Sequence, residues 1–195
     1  MFFAWTHYGG AGRFTDCVAV TRMEIEIRRG SLLDQLDVEV IVNAANRSMR
    51  GGGGIDGAVH RGAGPGLLEE LVRVAPRGCP EGEVIITAGH NLPFRYIFHT
   101  PGPIWRGGHS GEPESLAACY RNCLKEAERV GIKSIGFCSI STGVFGYPKR
   151  EAAKIALQTE MSSNVQVELV VFSLFGSEEF AAYRDTYRRI LRESQ

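Results

Sequence analysis

A chain of 195 residues that is 44% hydrophobic has enough apolar mass for one buried core and too little length to call for a second. Its 22 Lys and Arg balance 22 Asp and Glu, so no global field draws it to nucleic acid or to an anionic membrane surface. No apolar run approaches membrane-spanning length, and five cysteines at irregular spacing fit free thiols in a reducing compartment, the cytoplasm, better than a disulfide framework.

Residues 1–22 lack the charged start and long apolar centre of a signal peptide and read as an N-terminal extension, either a tail or, over residues 14–20, an added edge strand. The domain proper is expected over residues 23–195. After Met23, Ile25 and Ile27 alternate with Glu24, Glu26 and Arg28, the pattern of a strand with one buried face. A short connection with one helical turn leads to an uninterrupted apolar strand over residues 38–42, as expected for the centre of a sheet. A helix follows over residues 54–74, broken near Pro65, where the missing N–H and fixed φ force a restart. Strands over 83–88 and 95–99 are joined by an Asn91-Leu92-Pro93 turn. A helix over 113–130 places Leu116, Cys119, Tyr120, Cys123, Leu124 and Ala127 on one face. Strand 134–139, a helix from Pro148 to Met161, strand 165–174 and helix 177–191 complete the chain, the last with a core stripe of Phe180, Tyr183, Tyr187, Ile190 and Leu191. This alternation predicts an α/β fold in three α-β-α layers, a mixed central sheet flanked by helices.

Two segments carry chemistry. The first is residues 43–60, NAANRSMRGGGGIDGAVH, where Gly51, Gly52, Gly53, Gly54 and Gly57 strip side chains from a loop that runs into a helix start. Such a loop lets backbone N–H groups converge on a phosphate, and the helix N-terminus adds unpaired donors and partial positive charge. Gly52, Gly54 and Gly57 satisfy G-x-G-x-x-G, but Asn43 to Arg50 separate the glycine run from the apolar run, which is the wrong context for a dinucleotide fingerprint. No Lys-Ser or Lys-Thr follows, so a P-loop is not supported. Asp56 is the telling residue, because a carboxylate beside a diphosphate is repelled by about 3 kcal/mol at roughly 5 Å. Asp in a first helical turn has an ordinary role in bonding free N–H groups; the functional alternative is a base or a ribose-hydroxyl acceptor. His60, four residues on, shares its helical face and is placed to orient or polarise it.

The second segment is residues 140–147, with Ser141, Thr142, Gly143, Val144, Phe145 and Gly146 directly after a strand, where open α/β sheets bind ligands. Alone it reads equally as a tight turn. Facing the first loop, it completes a clamp on a diphosphate. No His-rich cluster or paired Cys motif offers a metal site, and no metal or cofactor is expected.

The chain resembles macro domains of the MacroD type in Asn-Ala-Ala-Asn at 43–46, the Gly-rich Asp-Gly-Ala helix start at 51–58, Leu92-Pro93, the run from His99 to Pro103, and Ile-Ser-Thr-Gly at 140–143 followed by residues 144–148. The resemblance implies an ADP-ribose ligand and a hydrolase that removes mono-ADP-ribose from acidic protein side chains or deacetylates O-acetyl-ADP-ribose. A non-catalytic ADP-ribose reader and a phosphatase acting on ADP-ribose with a terminal phosphate are the alternatives. It further implies catalytic roles for Asn46, at the distal ribose, Asp56 and His60. Ligand contacts are implied from Ala45, Gly53, Gly54, Ile55, Ser141, Thr142, Gly143, Val144 and Phe145, with Phe175 stacked on adenine. Where the family has Gly-Asp-Ile, this chain has Gly30-Ser31-Leu32-Leu33-Asp34, which leaves Ser31 or Asp34 to read the adenine amine. The expected partners are ADP-ribosylated proteins, with nucleic acid only as an ADP-ribosylated substrate, and the expected state is a monomer.

Overall fold

The computed structural model describes residues 23–193, and the possible edge strand at 14–20 lies outside them. In chain order the elements are β1 (Glu24–Arg29), a 3-10 turn (Leu32–Asp34), β2 (Val40–Ala45), α1 (Gly54–Ala63), α2 (Pro65–Val74), β3 (Ile85–Ala88), β4 (Tyr96–Pro101), α3 (Glu112–Arg129), β5 (Ser134–Phe137), α4 (Lys149–Met161), β6 (Leu169–Leu174) and α5 (Ser177–Glu193). The strands form one sheet in the order β1-β6-β5-β2-β4-β3. All neighbours are parallel except β3, which runs antiparallel to β4 at one edge.

Side-chain alternation along the strands sorts the helices onto two faces. On β2 and β4, Asn43 lies opposite His99 and turns toward α1, whose Asp56 it contacts. The other face carries Phe137 and Phe172, stacked at 5.7 Å, against Tyr120 of α3 and Tyr183 of α5. The expected three layers are therefore present. The apolar run that marks β2 begins at Val40, and the strand continues through Asn43, Ala44 and Ala45, beyond the expected end at residue 42. A polar residue can stay in the central strand because its amide finds buried partners.

The break near Pro65 is a single residue, Gly64 (φ 81°, ψ −175°), which ends α1 and leaves Pro65 as the first residue of α2. On α3 the buried face comprises the six residues named from periodicity, together with Glu112. The expected α5 stripe is corrected: Tyr183 is fully buried, but Phe180, Tyr187 and Ile190 are only partly so, and Leu191 is 36% exposed. Ala182 and Thr186 share the buried side, because α5 packs against both α4 and the edge strand β1. Among the described residues no helix is long and apolar enough to cross a membrane. Cys79, Cys119, Cys123 and Cys138 are free and buried.

Candidate active site

The parallel strands finish along a common rim, and a cleft runs across it, as the topology of an open α/β sheet favours. It has two lobes that share Gly54, Ile55, Ser139 and Gly143. The smaller, about 210 Å³, is lined by Ala45, Gly53, Gly54, Ile55, Ser141, Gly143, Val144 and Phe145, with Ala44, Gly102 and Ser139 completing its wall. The larger, about 510 Å³, includes Ser31, Thr142 and Phe175 in its lining. Asn46, Asp56 and His60 line neither lobe and form a separate cluster behind the glycine rim at Gly52. A Cβ on Gly52 would stand 3.1 Å from Asp56 Oδ2 and 3.3 Å from Asn46 Nδ2, so both side chains reach up to that backbone.

The two glycine-bearing loops are positioned from different layers. At the first, Gly57 lets α1 start hard against the loop, because a Cβ there would lie 2.6 Å from the Gly52 carbonyl. Its N-cap, Gly53, offers no side-chain cap, so no cap side chain occupies the first-turn N–H groups, and Gly53, Gly54 and Ile55 line the cleft. At the second, the Ile140 N–H donates to the buried Tyr120 hydroxyl (3.2 Å), the Gly146 N–H to the Gly143 carbonyl (2.9 Å) and the Tyr147 N–H to the Ser141 carbonyl (3.0 Å). From outside, the Trp105 N–H bonds the Phe145 carbonyl (2.9 Å) and its ring packs on Tyr147. The carboxylate of Glu112 fixes the segment that carries Trp105 by accepting from the N–H groups of Arg106, Gly108 and Ser110. Within the loop Ser141 holds φ 67°, a strained value for a residue with a side chain, and its buried hydroxyl makes no hydrogen bond among the described residues.

Asp56 is 5% exposed. Its Oδ1 accepts from Asn43 Nδ2 at 2.7 Å, while His60 Nε2 stands at 3.6 Å, beyond normal hydrogen-bond length. Its strongest partner is therefore the strand asparagine rather than the helical neighbour. Burial pushes the Asp56 carboxyl above the ordinary aspartate range, and the Asn43 hydrogen bond and the His60 charge oppose that rise. Asn46 spends its side chain on its own loop: Nδ2 donates to the Gly51 carbonyl (2.7 Å) and Oδ1 accepts from Ser48. His60 packs flat against Gly51, whose Cβ would lie 3.4 Å from the ring.

At the far end of the cleft, Phe175 is 84% exposed, so it is no core aromatic and leaves its ring free for a planar ligand. The Ser31 hydroxyl caps the 3-10 turn by accepting from the Leu33 N–H (3.2 Å), and Asp34 is exposed and absent from the lining. Among the described residues, the charged side chain that does line this lobe is Glu179, which is folded against Gly176 and 3.5 Å from Lys149 Nζ. Sequence reasoning passed over it because it sits in an ordinary acidic first turn. It also left Asn43, His99 and Thr87 without roles, although polar residues inside apolar strands were a signal. His99 is fully buried, between Asn43 Nδ2 (3.1 Å from Nδ1) and Thr87 Oγ1 (2.9 Å from Nε2). Burial lowers its pKa to about 3, so it is neutral.

A family model for the Macro domain matches residues 42–156, and the chain belongs to that family. An O-acetyl-ADP-ribose deacetylase of Klebsiella pneumoniae is 47% identical over 154 residues, covering 76% of this chain and 88% of the relative. A macro domain-containing protein of Xanthomonas campestris is 55% identical over 139 residues, covering 69% and 77%. Among solved structures, the Oceanobacillus iheyensis macrodomain with ADP superposes with a TM-score of 0.83 at 43% identity, covering 89% of this chain and 95% of that one. The Trypanosoma brucei macrodomain in complex with ADP-ribose gives 0.76 at 40% identity, covering 84% and 68%.

Proposed function

We propose that the protein binds ADP-ribose along the cleft and hydrolyses esters carried on its distal ribose. One reaction covers two substrates, since the acetyl group of O-acetyl-ADP-ribose and the Asp or Glu side chain of a mono-ADP-ribosylated protein are both joined to the sugar through an acyl oxygen. The ligand's shape supports this reading. Adenine lies on Phe175, the diphosphate between the N–H groups of the two glycine-bearing loops, and the distal ribose under Phe145 beside Gly52. The observation that carries catalysis is a buried carboxylate, Asp56, poised behind that rim with a dedicated donor. A reader would need the clamp but no such group.

Asp56 in its ionised form takes a proton from water, the hydroxide adds to the ester carbonyl, and the bond to the sugar oxygen breaks as that oxygen regains a proton. Phe145 supplies a wall without a hydroxyl, so the proton returns through Asp56 or solvent. No metal takes part in this scheme. A phosphatase reading is weaker, because a terminal phosphate would bring more negative charge to Asp56. Four free, buried cysteines suit work in a reducing cytoplasm.

The test is Asp56→Ala. Turnover of O-acetyl-ADP-ribose and of an automodified acidic acceptor should fall roughly 10²–10⁴-fold, the usual worth of a positioned base. Calorimetric affinity for ADP-ribose should hold or rise, because a repulsive neighbour is gone. In the wild type, the acid limb of the pH–rate profile should lie above the ordinary aspartate range, as the burial of Asp56 requires. A variant that binds poorly yet turns over normally removes Asp56 from the chemistry.

A further inference from the structure

A line of buried polar groups crosses the sheet behind the cleft. Thr87 on β3 and His99 on β4 share a face on neighbouring strands, Asn43 on β2 lies opposite His99, and Asp56 on α1 closes the line. Each of the four residues is at most 5% exposed, so water does not compete for their hydrogen bonds. Their polarity can be deduced from the end. The Thr87 hydroxyl has one hydrogen and an acceptor for it, the Ala88 carbonyl at 3.2 Å. It is then free to accept from His99 Nε2, 2.9 Å away. A neutral imidazole that donates from Nε2 presents a lone pair at Nδ1, which takes one hydrogen of the Asn43 amide at 3.1 Å. The second amide hydrogen goes to Asp56 Oδ1 at 2.7 Å.

The opposite arrangement, in which the Thr87 hydroxyl gives up the Ala88 carbonyl and donates to His99 Nε2 instead, is chemically different. With the histidine hydrogen on Nδ1, the amide must turn its oxygen toward the ring, and because a single amide atom faces both neighbours, that oxygen meets Asp56 as well. An oxygen 2.7 Å from Asp56 Oδ1 is tolerable only if the carboxyl is protonated. The ionisation of Asp56 is thus coupled to an imidazole tautomer two side chains away.

We infer that His99 is a positioning residue: fixed by Thr87 as its Nε2–H tautomer, it commits the Asn43 amide to donate to Asp56 and so keeps that buried carboxyl ionised. The inference rests on the assignment of Asp56 as the base only for its catalytic consequence. The tautomer and the ionisation are properties of the protein alone. Asn43 Oδ1, buried and without a hydrogen bond among the described residues, is what this arrangement leaves over. The other titratable groups that act on the line are His60, 3.6 Å from Asp56, and His90, which with His60 disfavours charge on His99. Both are held constant in the comparison below.

The experiment uses the full chain, labelled with ¹⁵N-histidine and ¹³C-aspartate, as wild type, Thr87→Val and Thr87→Ser. In the wild type, long-range ¹H–¹⁵N correlation should show His99 neutral with its hydrogen on Nε2. Thr87→Val keeps shape but removes the acceptor, so the Asp56 carboxyl signal should titrate about one pH unit higher, a roughly tenfold change in proton affinity. Thr87→Ser restores the hydroxyl and should restore the wild-type titration. Where the hydrolysis holds, the acid limb of its pH–rate profile moves with the carboxyl signal. A protein that hydrolyses nothing but shows these spectra refutes the enzyme reading and leaves the coupling intact. An Nδ1–H or charged His99 in the wild type overturns the inference without any variant, which covers the case of a Thr87→Val chain that does not fold. So does a folded Thr87→Val with unchanged Asp56 titration, or a displaced titration that Thr87→Ser fails to restore.

Discussion

Gly143→Glu tests the clamp most directly, because the structure separates its effect on binding from its effect on folding. Among the described residues no neighbouring atom lies within 4 Å of the position a Cβ would take at Gly143, and its backbone is outside the left-handed region, so a side chain enters open cleft without strain. The fold should therefore keep its melting temperature. Binding should not. A carboxylate placed about 5 Å from the diphosphate costs roughly 3 kcal/mol per facing charge at an effective dielectric near 20, which corresponds to a loss of about a hundredfold or more in affinity. Gly143→Gln has similar bulk without charge and should lose less, and the gap between the two should narrow in high salt. Calorimetry with ADP-ribose and a thermal melt on the same samples read both quantities. An unchanged affinity for Gly143→Glu would take the second loop out of the binding site, whatever the melting temperature does.

Phe175→Ala should weaken ADP-ribose by about 1–3 kcal/mol, the worth of one stacked base, with no change in melting temperature because the ring is 84% exposed. Equal affinity in the variant would leave adenine without its platform. Glu179 lines the same lobe and is the natural acceptor for an exocyclic amine, so Glu179→Gln should shrink the preference for ADP over IDP; an unaltered ratio places the purine edge elsewhere. Glu160 concerns stability rather than binding. It is fully buried on α4 with neither carboxyl oxygen hydrogen-bonded among the described residues, and burial holds its pKa well above the ordinary 4.5. Its raised folded-state value means that the stability it contributes is complete below the unfolded pKa and is lost as pH rises toward the folded one. Glu160→Gln should gain on the wild type by up to about 1.4 kcal/mol per pH unit above that ordinary value, and parallel stability–pH curves from urea melts would show the carboxyl to be solvated.

What the sequence revealed follows from which interactions are local. Apolar runs and helical stripes located every strand and helix, since burial on one face leaves a period of two or near four. The end of β2 was missed because Asn43, Ala44 and Ala45 carry no apolar signal, and only a partner 56 positions away, His99, makes Asn43 a strand residue. For the same reason Asp56 was paired with His60, its i+4 neighbour, when its closest partner comes from the sheet. The outer helix α5 shows the converse error: Leu191 has the right period, yet its position near the helix end leaves it in solvent. The strand end before Phe175 was placed correctly, but an aromatic just past a strand reads as core until its 84% exposure is seen.

The contrast between the two ends of the cleft bears on how such a site diverges. Asn43 and His99 sit in central strands, with Thr87 on β3 hydrogen-bonded to His99, so a change at any of the three is felt at the carboxylate through the buried line that joins them. Val144 and Phe175, 99% and 84% exposed on the rim, touch little of the fold, and substitutions at such positions usually alter stability by no more than about 0.5 kcal/mol. On the function proposed above, mutational drift can sample new acceptors and new bases at the rim while the carboxylate end stays fixed. A library randomised at these two positions should retain nearly all of its members as folded protein, and its variation should appear in which esters are chosen.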